Sequence, residues 1–177
     1  MKVTEFSVPG PLLIELPSFG DNRGFFSERF RADIYSALHL PQFVQENMSR
    51  SKPGVLRGLH IQQEPPQGKL ITCVHGRIFD AAVDLRKGSA TFGQSVYAEL
   101  SGENPSWLWI PPHFAHGFLT LGNSEADVWY KVSGYWNPKT EATLAWNDPE
   151  LNIPWPQQPL HISEKDKIGK KLHEMAI

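Results

Sequence analysis

Gly54-Val55-Leu56-Arg57-Gly58-Leu59-His60-Ile61-Gln62 sets one arginine and one histidine inside an otherwise apolar run. Its length and composition predict a buried strand. One face of that strand would hold Leu56, Gly58, His60 and Gln62, and the other Val55, Arg57, Leu59 and Ile61. A lone histidine on such a strand is usually a core residue satisfied by a backbone carbonyl. Arg57 changes that balance, because a buried guanidinium normally answers an anion. Residues 57 and 60 sit on opposite faces of a regular strand, so both reach one cavity only if Gly58 marks a bulge. Nine residues after His60, Lys69 opens the next apolar run. Its ammonium suits negative charge developing on a carbonyl oxygen, although a solvated turn lysine is the plainer reading.

Outward from this stretch, short apolar runs alternate with turns. The 177 residues include 15 Pro, 14 Gly and six Trp, a composition that leans toward strands and turns. A strand, a Pro-Gly-Pro turn and a second strand around Leu12–Leu16 are expected first. Turn formers from Asp21 then lead into an alternating segment with Phe26 and Glu28 on one face. A helix of two turns fits residues 31–39, closed by Pro41, and Phe43–Ser51 reads as an extended, polar segment. After the Pro65-Pro66-Gln67-Gly68 turn, runs at Leu70–Val74 and Ile78–Leu85 joined by His75-Gly76 predict a hairpin. Further strands are expected at Gln94–Leu100, Ser106–Ile110, Phe118–Leu121 and Asp127–Val132, and a helix from Ser163 to about Met175. No repeat or linker divides the chain, so residues 1–177 are expected to form one all-β domain, a sandwich or barrel.

Charge and cysteine content narrow the function. A net charge of −2 argues against a general nucleic-acid or membrane-surface role. The single Cys73 excludes an intramolecular disulfide and reads as a small buried apolar residue. Without a signal-peptide core or an apolar run of membrane-spanning length, a cytoplasmic location is expected.

Several residues can carry chemistry. Tyr130 shares a strand face with Val128 and Val132 and is expected to point inward, where a phenol can donate a proton. His60 and His116 together invite a metal reading, but Leu59-His60-Ile61-Gln62 lacks the second histidine of a His-x-His pair. Two histidines and a distant Glu64 are a thin ligand set, and a metal is not expected. Asp84 and Asp166 are the carboxylates able to orient a histidine. Asp84 has an ion pair with Arg86 as its plain explanation, and Ser163-x-x-Asp166 is a capping-box pattern. On these grounds the two stand equal.

The ordered motifs Asp21-x-Arg23-Gly24-x-Phe26-x-Glu28, Gln45-x-Asn47-x-Ser49-x-Ser51, residues 54–60, Lys69-Leu70, Val83-Asp84-x-Arg86 and Phe114-Ala-His-Gly-Phe118 come first. They are followed by Tyr130-Lys131, Tyr135, Glu141, Trp146-x-Asp148, Trp155-Pro156 and Ser163-x-Lys165-Asp166. Together they closely resemble the dTDP-4-dehydrorhamnose 3,5-epimerase family of deoxysugar biosynthesis, from about Asp21 to Asp166. The resemblance implies a cupin-like β jelly roll with a few short helices. It also implies a homodimer with strand exchange, no cofactor or metal, and dTDP-4-keto-6-deoxyglucose as substrate.

By the same resemblance His60 is the base, Asp166 its orienting carboxylate, Tyr130 the acid and Lys69 the enolate-stabilising cation. Substrate contacts fall on Arg23, Phe26, Glu28, Gln45, Asn47, Arg57, His116, Tyr135, Glu141 and Lys165. Two positions depart from the pattern: His113 stands where glycine is common, and Met48 where histidine is common. A C3-only epimerase, a metal-dependent cupin and a binding jelly roll without catalysis are the competing readings.

Overall fold

The structure is a computed structural model and describes residues 1–175. Strands β1 (Lys2–Glu5) and β2 (Leu12–Glu15) open it, and β3 (Phe19–Asp21) and β4 (Gly24–Phe26) form a separate exposed hairpin. Helix α1 (Ala32–Ala37) is shorter than the sequence suggests. Next come β5 (Gln45–Ser51), β6 (Val55–Gln62), β7 (Lys69–His75), β8 (Arg77–Asp84), β9 (Ser95–Ser101) and β10 (Ser106–Ile110). They are followed by β11 (Phe114–Leu121), β12 (Ala126–Val132), β13 (Glu141–Thr143) and β14 (His161–Ile162). Two sheets result, in the orders β1-β2-β10-β7-β12-β5 and β13-β6-β11-β8-β9, with β14 added parallel to β6. The jelly-roll expectation holds. No described helix is long and apolar enough to cross a membrane.

The sheets face each other across one apolar cluster. Ile71, Cys73, Leu108 and Val128 from the first sheet meet Ile78, Ala82, Leu100 and Phe118 from the second. Cys73 is fully buried there, as its reading as a small apolar residue requires. Behind the second sheet, Leu59, Ile61, Val83 and Ala115 pack under Leu144, Leu151 and Leu172. This cover uses up the outward parity of β6, so the inward parity is left for function.

Two expectations about elements fail. Residues 70–85 are not a hairpin: β7 pairs with β10 and β12, whereas β8 pairs with β9 and β11. The His75-Gly76 turn therefore carries the chain between sheets, with Gly76 at φ +72°. The segment after Ser163 is not one helix to Met175. It is a single turn, α2 (Glu164–Lys167), and a separate 3₁₀ turn at Leu172–Glu174. Gly169 breaks it, because the chain there lies so close to β13's exit that a Cβ would sit 2.7 Å from the Ala145 nitrogen.

The bulge at Gly58 on which a shared Arg57–His60 site depends is present. Register along β6 and β11 pairs His60 with His116 and Arg57 with Phe118, so two residues on β6 oppose Gly117 alone. The Gly58–Leu59 peptide is cis, and Gly58 has φ +111°. A Cβ on Gly58 would lie 2.6 Å from the His116 carbonyl oxygen, and one on Gly117 2.6 Å from the Arg57 carbonyl oxygen. Gly58→Ala is therefore expected to lose more than about 2 kcal/mol of stability. The loss would appear as a lower urea midpoint at unchanged m-value, and an unchanged midpoint would show that the strands separate freely there.

Candidate active site

The bulge turns Arg57 and His60 to the same side, and both line a cavity of about 660 Å³ between the sheets. From the first sheet come Gln45, Asn47 and Ser49 on β5, Lys69 on β7, and Val128 and Tyr130 on β12. From the second come Arg57, His60, His116, Phe118 and Glu141, with Lys165 and Asp166 on α2. His60 and Tyr130 thus stand on opposite walls.

His60 Nε2 lies 2.6 Å from Asp166 Oδ1, and the Gly58 N–H donates to Asp166 Oδ2 at 3.3 Å. The bulge glycine therefore helps aim the carboxylate that holds the histidine. Burial pushes the Asp166 carboxyl up, but its bonds from His60 and Gly58 outweigh that and hold it below the usual range. Ser163 caps α2, its Oγ accepting from the Asp166 N–H at 3.1 Å. Capping and orientation coexist at Asp166, since the cap uses its backbone N–H and the histidine its side chain. Asp84 takes neither part: it accepts from Arg86, Ser89 and Thr91 at 2.6–2.9 Å, away from the cavity. The alternative that Asp84 orients His60 is corrected accordingly.

Lys69 donates to the His60 carbonyl at 3.2 Å, leaving two N–H bonds for a ligand. Burial lowers its pKa to about 8, against the opposing pull of Glu141 and Asp80. Burial likewise raises the Tyr130 phenol, so it keeps its proton at neutral pH.

A second histidine–carboxylate pair was not foreseen. His116 Nε2 contacts Asp80 Oδ2 at 3.0 Å, with Asp80 fully buried behind it on β8. Burial raises the Asp80 carboxyl and lowers His116, each resisted by the other. Asp80 Oδ1 has no hydrogen-bond partner among the described residues. The signal was there: Asp80 is the one charge inside Ile78–Val83, on the core-facing parity of Ile78 and Ala82. His161 and Trp136 also line the cavity and were not singled out.

Other expected contacts do not reach it. Arg23, Phe26, Glu28 and Tyr135 are absent from the lining; Arg23 pairs with Asp21 at 2.6 Å, and Phe26 is 69% exposed. Lys165 is ion-paired with Glu141 at the rim. His113 adopts φ +67°, the left-handed conformation that its replacement of glycine implied. Met48 lies on the outer face of β5 and is exposed. Among the described residues, no three His, Cys, Asp or Glu converge as metal ligands.

A facing pair of antiparallel sheets with a histidine–aspartate pair, a lysine and a tyrosine gathered in one cavity between them defines a jelly roll of the cupin kind. Comparison with known proteins gives the family. Residues 5–174 match the family model described as dTDP-4-dehydrorhamnose 3,5-epimerase. A Pseudomonas aeruginosa protein of that name is 51% identical over 174 residues, covering 96% of this chain and 95% of that one. The crystal structure of the Legionella pneumophila dTDP-6-deoxy-D-glucose-3,5-epimerase, in complex with dTDP-4-keto-L-rhamnose, superposes with TM-score 0.94. It is 44% identical, covering 98% of this chain and 94% of its own. A 3′-monoepimerase from Streptomyces bikiniensis, in complex with dTDP-quinovose, is 30% identical, with TM-score 0.88 and 96% and 87% coverage. This chain belongs to the dTDP-4-dehydrorhamnose 3,5-epimerase family.

Lys69 supplies a test of the cavity's electrostatics. Its ammonium, followed by NMR of the labelled ε-carbon, is expected to titrate with a midpoint at about 8. The charge is present below that pH and lost as pH rises through it, so any oxygen it stabilises loses support in the same direction. A midpoint at the ordinary lysine value would mean that solvent reaches the ammonium freely.

Proposed function

We propose that this chain inverts C3 and C5 of dTDP-4-keto-6-deoxy-D-glucose to give dTDP-4-keto-L-rhamnose. The observation that carries the reading is the His60–Asp166 pair facing Tyr130 across a cavity that also holds Lys69. Hydrogens on C3 and C5 flank the C4 ketone and are acidified by it. With its Nε2 proton donated to Asp166, His60 offers the Nδ1 lone pair as base. When a C–H bond breaks, the proton moves to Nδ1 and the electron pair to the C4 oxygen. Lys69 stabilises that oxygen with the N–H bonds it has left. Tyr130, on the opposite wall, then gives its proton to the other face of the carbon, which inverts the centre. Solvent restores the tyrosine and relieves the histidine of its proton.

Arg57 and Lys165 suit the diphosphate, and the exposed indole of Trp136 at the mouth suits the nucleobase. Gln45, Asn47, His116 and Glu141 line the wall where sugar and nucleoside meet it. No cofactor enters this route. The enzyme is read as cytoplasmic, in keeping with a soluble nucleotide-sugar substrate.

Heavy-water NMR tests the chemistry. With dTDP-4-keto-6-deoxyglucose, deuterium is expected at both C3 and C5, and His60→Ala should abolish both while remaining folded. Tyr130→Phe should keep exchange but lose product by about 10²-fold or more; parallel loss of both would remove the acid assignment. Exchange at C3 alone would favour a monoepimerase, a reading given weight by the shared fold of the Streptomyces bikiniensis enzyme. No exchange would leave a binding protein.

The exposed β3–β4 hairpin supports a homodimer in which Arg23, Phe26 and Glu28 complete the partner's cavity. Phe19, Phe25 and Phe26 there are all more than half exposed, a costly apolar surface for a monomer. Mixing His60→Ala and Arg23→Ala subunits is expected to restore about a quarter of wild-type activity, since half the dimers are mixed and each has one intact site. If the hairpin served its own subunit, mixing would restore nothing.

A further inference from the structure

Four successive residues at the cavity mouth, Gly134 to Asn137, are each held by a glutamine side chain. Gln67 Nε2 donates to the Gly134 carbonyl at 2.7 Å, and Gln62 Nε2 to the Tyr135 carbonyl at 3.0 Å. Gln45 Oε1 accepts from the Trp136 N–H at 3.1 Å, and Gln62 Oε1 from the Asn137 N–H at 2.7 Å. Gln62 does most. Its Nε2 also donates to the Pro65 carbonyl at 2.8 Å, and the residue is 3% exposed. Both donors and the acceptor of its amide are thus committed to backbone, and Gln62 does not line the cavity.

The segment it grips carries Trp136, which lines the cavity although it is 57% exposed. An indole that exposed has little packing of its own, so its backbone decides where it stands. The ends of the segment are fastened separately. Ser133 exchanges bonds with Gly68, and Asn137 and Thr140 donate to the Glu64 carbonyl. Gln62 clasps the two peptide groups on either side of Trp136 from the end of β6, two residues beyond His60. It therefore bears on the orientation of the ring and not on whether the loop closes.

We propose that Gln62 is a positioning residue for substrate recognition. By holding residues 135–137 it presents Trp136 to the nucleoside diphosphate end of the substrate, setting affinity without touching the proton transfers. This rests on the reading of the cavity as a nucleotide-sugar site. A ring held in place before binding spares the ordering cost that a loose one would incur on association.

The test is a double-mutant cycle read by calorimetry with dTDP and by steady-state kinetics. Gln62→Met keeps length and bulk but deletes all three bonds. It should raise the Kd for dTDP and the KM about tenfold, the scale of one or two lost buried hydrogen bonds. Its kcat should stay within about twofold and its pH profile should not move. Added to Trp136→Ala, the same change should cost almost nothing more, because the ring it positions is gone. If Gln62→Met does not fold, Gln62→Glu keeps the acceptor for Asn137 but loses both donors, and should itself raise the Kd for dTDP with kcat within about twofold. A fall in kcat at unchanged Kd, or full additivity with Trp136→Ala, would overturn the proposal. Failure of the wild-type protein to bind dTDP would overturn instead the nucleotide-sugar reading beneath it.

Discussion

The constraint on which the site depends is the contact between Gly58 and Gly117. The two backbones approach where neither strand has room for a side chain, and the extra residue on β6 is absorbed there. From that one irregularity follow the common orientation of Arg57 and His60, the cross-strand placement of His60 beside His116, and a backbone N–H aimed at Asp166. Leu59, the other half of the bulge, still exchanges backbone hydrogen bonds with Leu144 and packs outward. The site is thus built by local sacrifice of pairing on one side of β6 while the outer side stays anchored in the core.

Electrostatics in the cavity follow from how deeply each group is buried. Two imidazoles sit as cross-strand neighbours, each against a carboxylate, and a lysine faces them from the opposite sheet. Asp166 is held ionised by its bonds, whereas Asp80 is more deeply buried and pushed the other way. Similar pairs in different surroundings acquire different protonation habits. The partly exposed pair is the one suited to cycling a proton; the enclosed one is suited to holding a fixed hydrogen-bonding pattern against a sugar.

Much of this was legible in the chain. The apolar run of residues 54–62 predicted a strand, the clash of parity between Arg57 and His60 posed the question of a bulge at Gly58, and the parity of Tyr130 predicted its inward ring. What was not legible depended on partners distant in sequence. Residues 70–85 have the local form of a hairpin, yet β7 finds its partners among strands formed much later in the chain. Asp84 and Asp166 were equal on local grounds, and only tertiary proximity separates them. Asp80 was passed over because an apolar run hid its parity. Gln62 was placed on a strand face without a task, since its three partners lie in loops whose positions no periodicity encodes.

The enclosure of His116 has a consequence for how a turnover must be paced. Under the proposed chemistry each inversion leaves one proton on His60, and burial disfavours protonation of the neighbouring His116. A single carrier then serves two carbon centres in succession. It must be emptied between them, and its 27% exposed side chain opens toward bulk water for that purpose. Both new C–H bonds would therefore derive their hydrogen from the medium. The substrate's own hydrogens would be lost one at a time, with an intermediate inverted at one centre waiting in the cavity while the base is cleared.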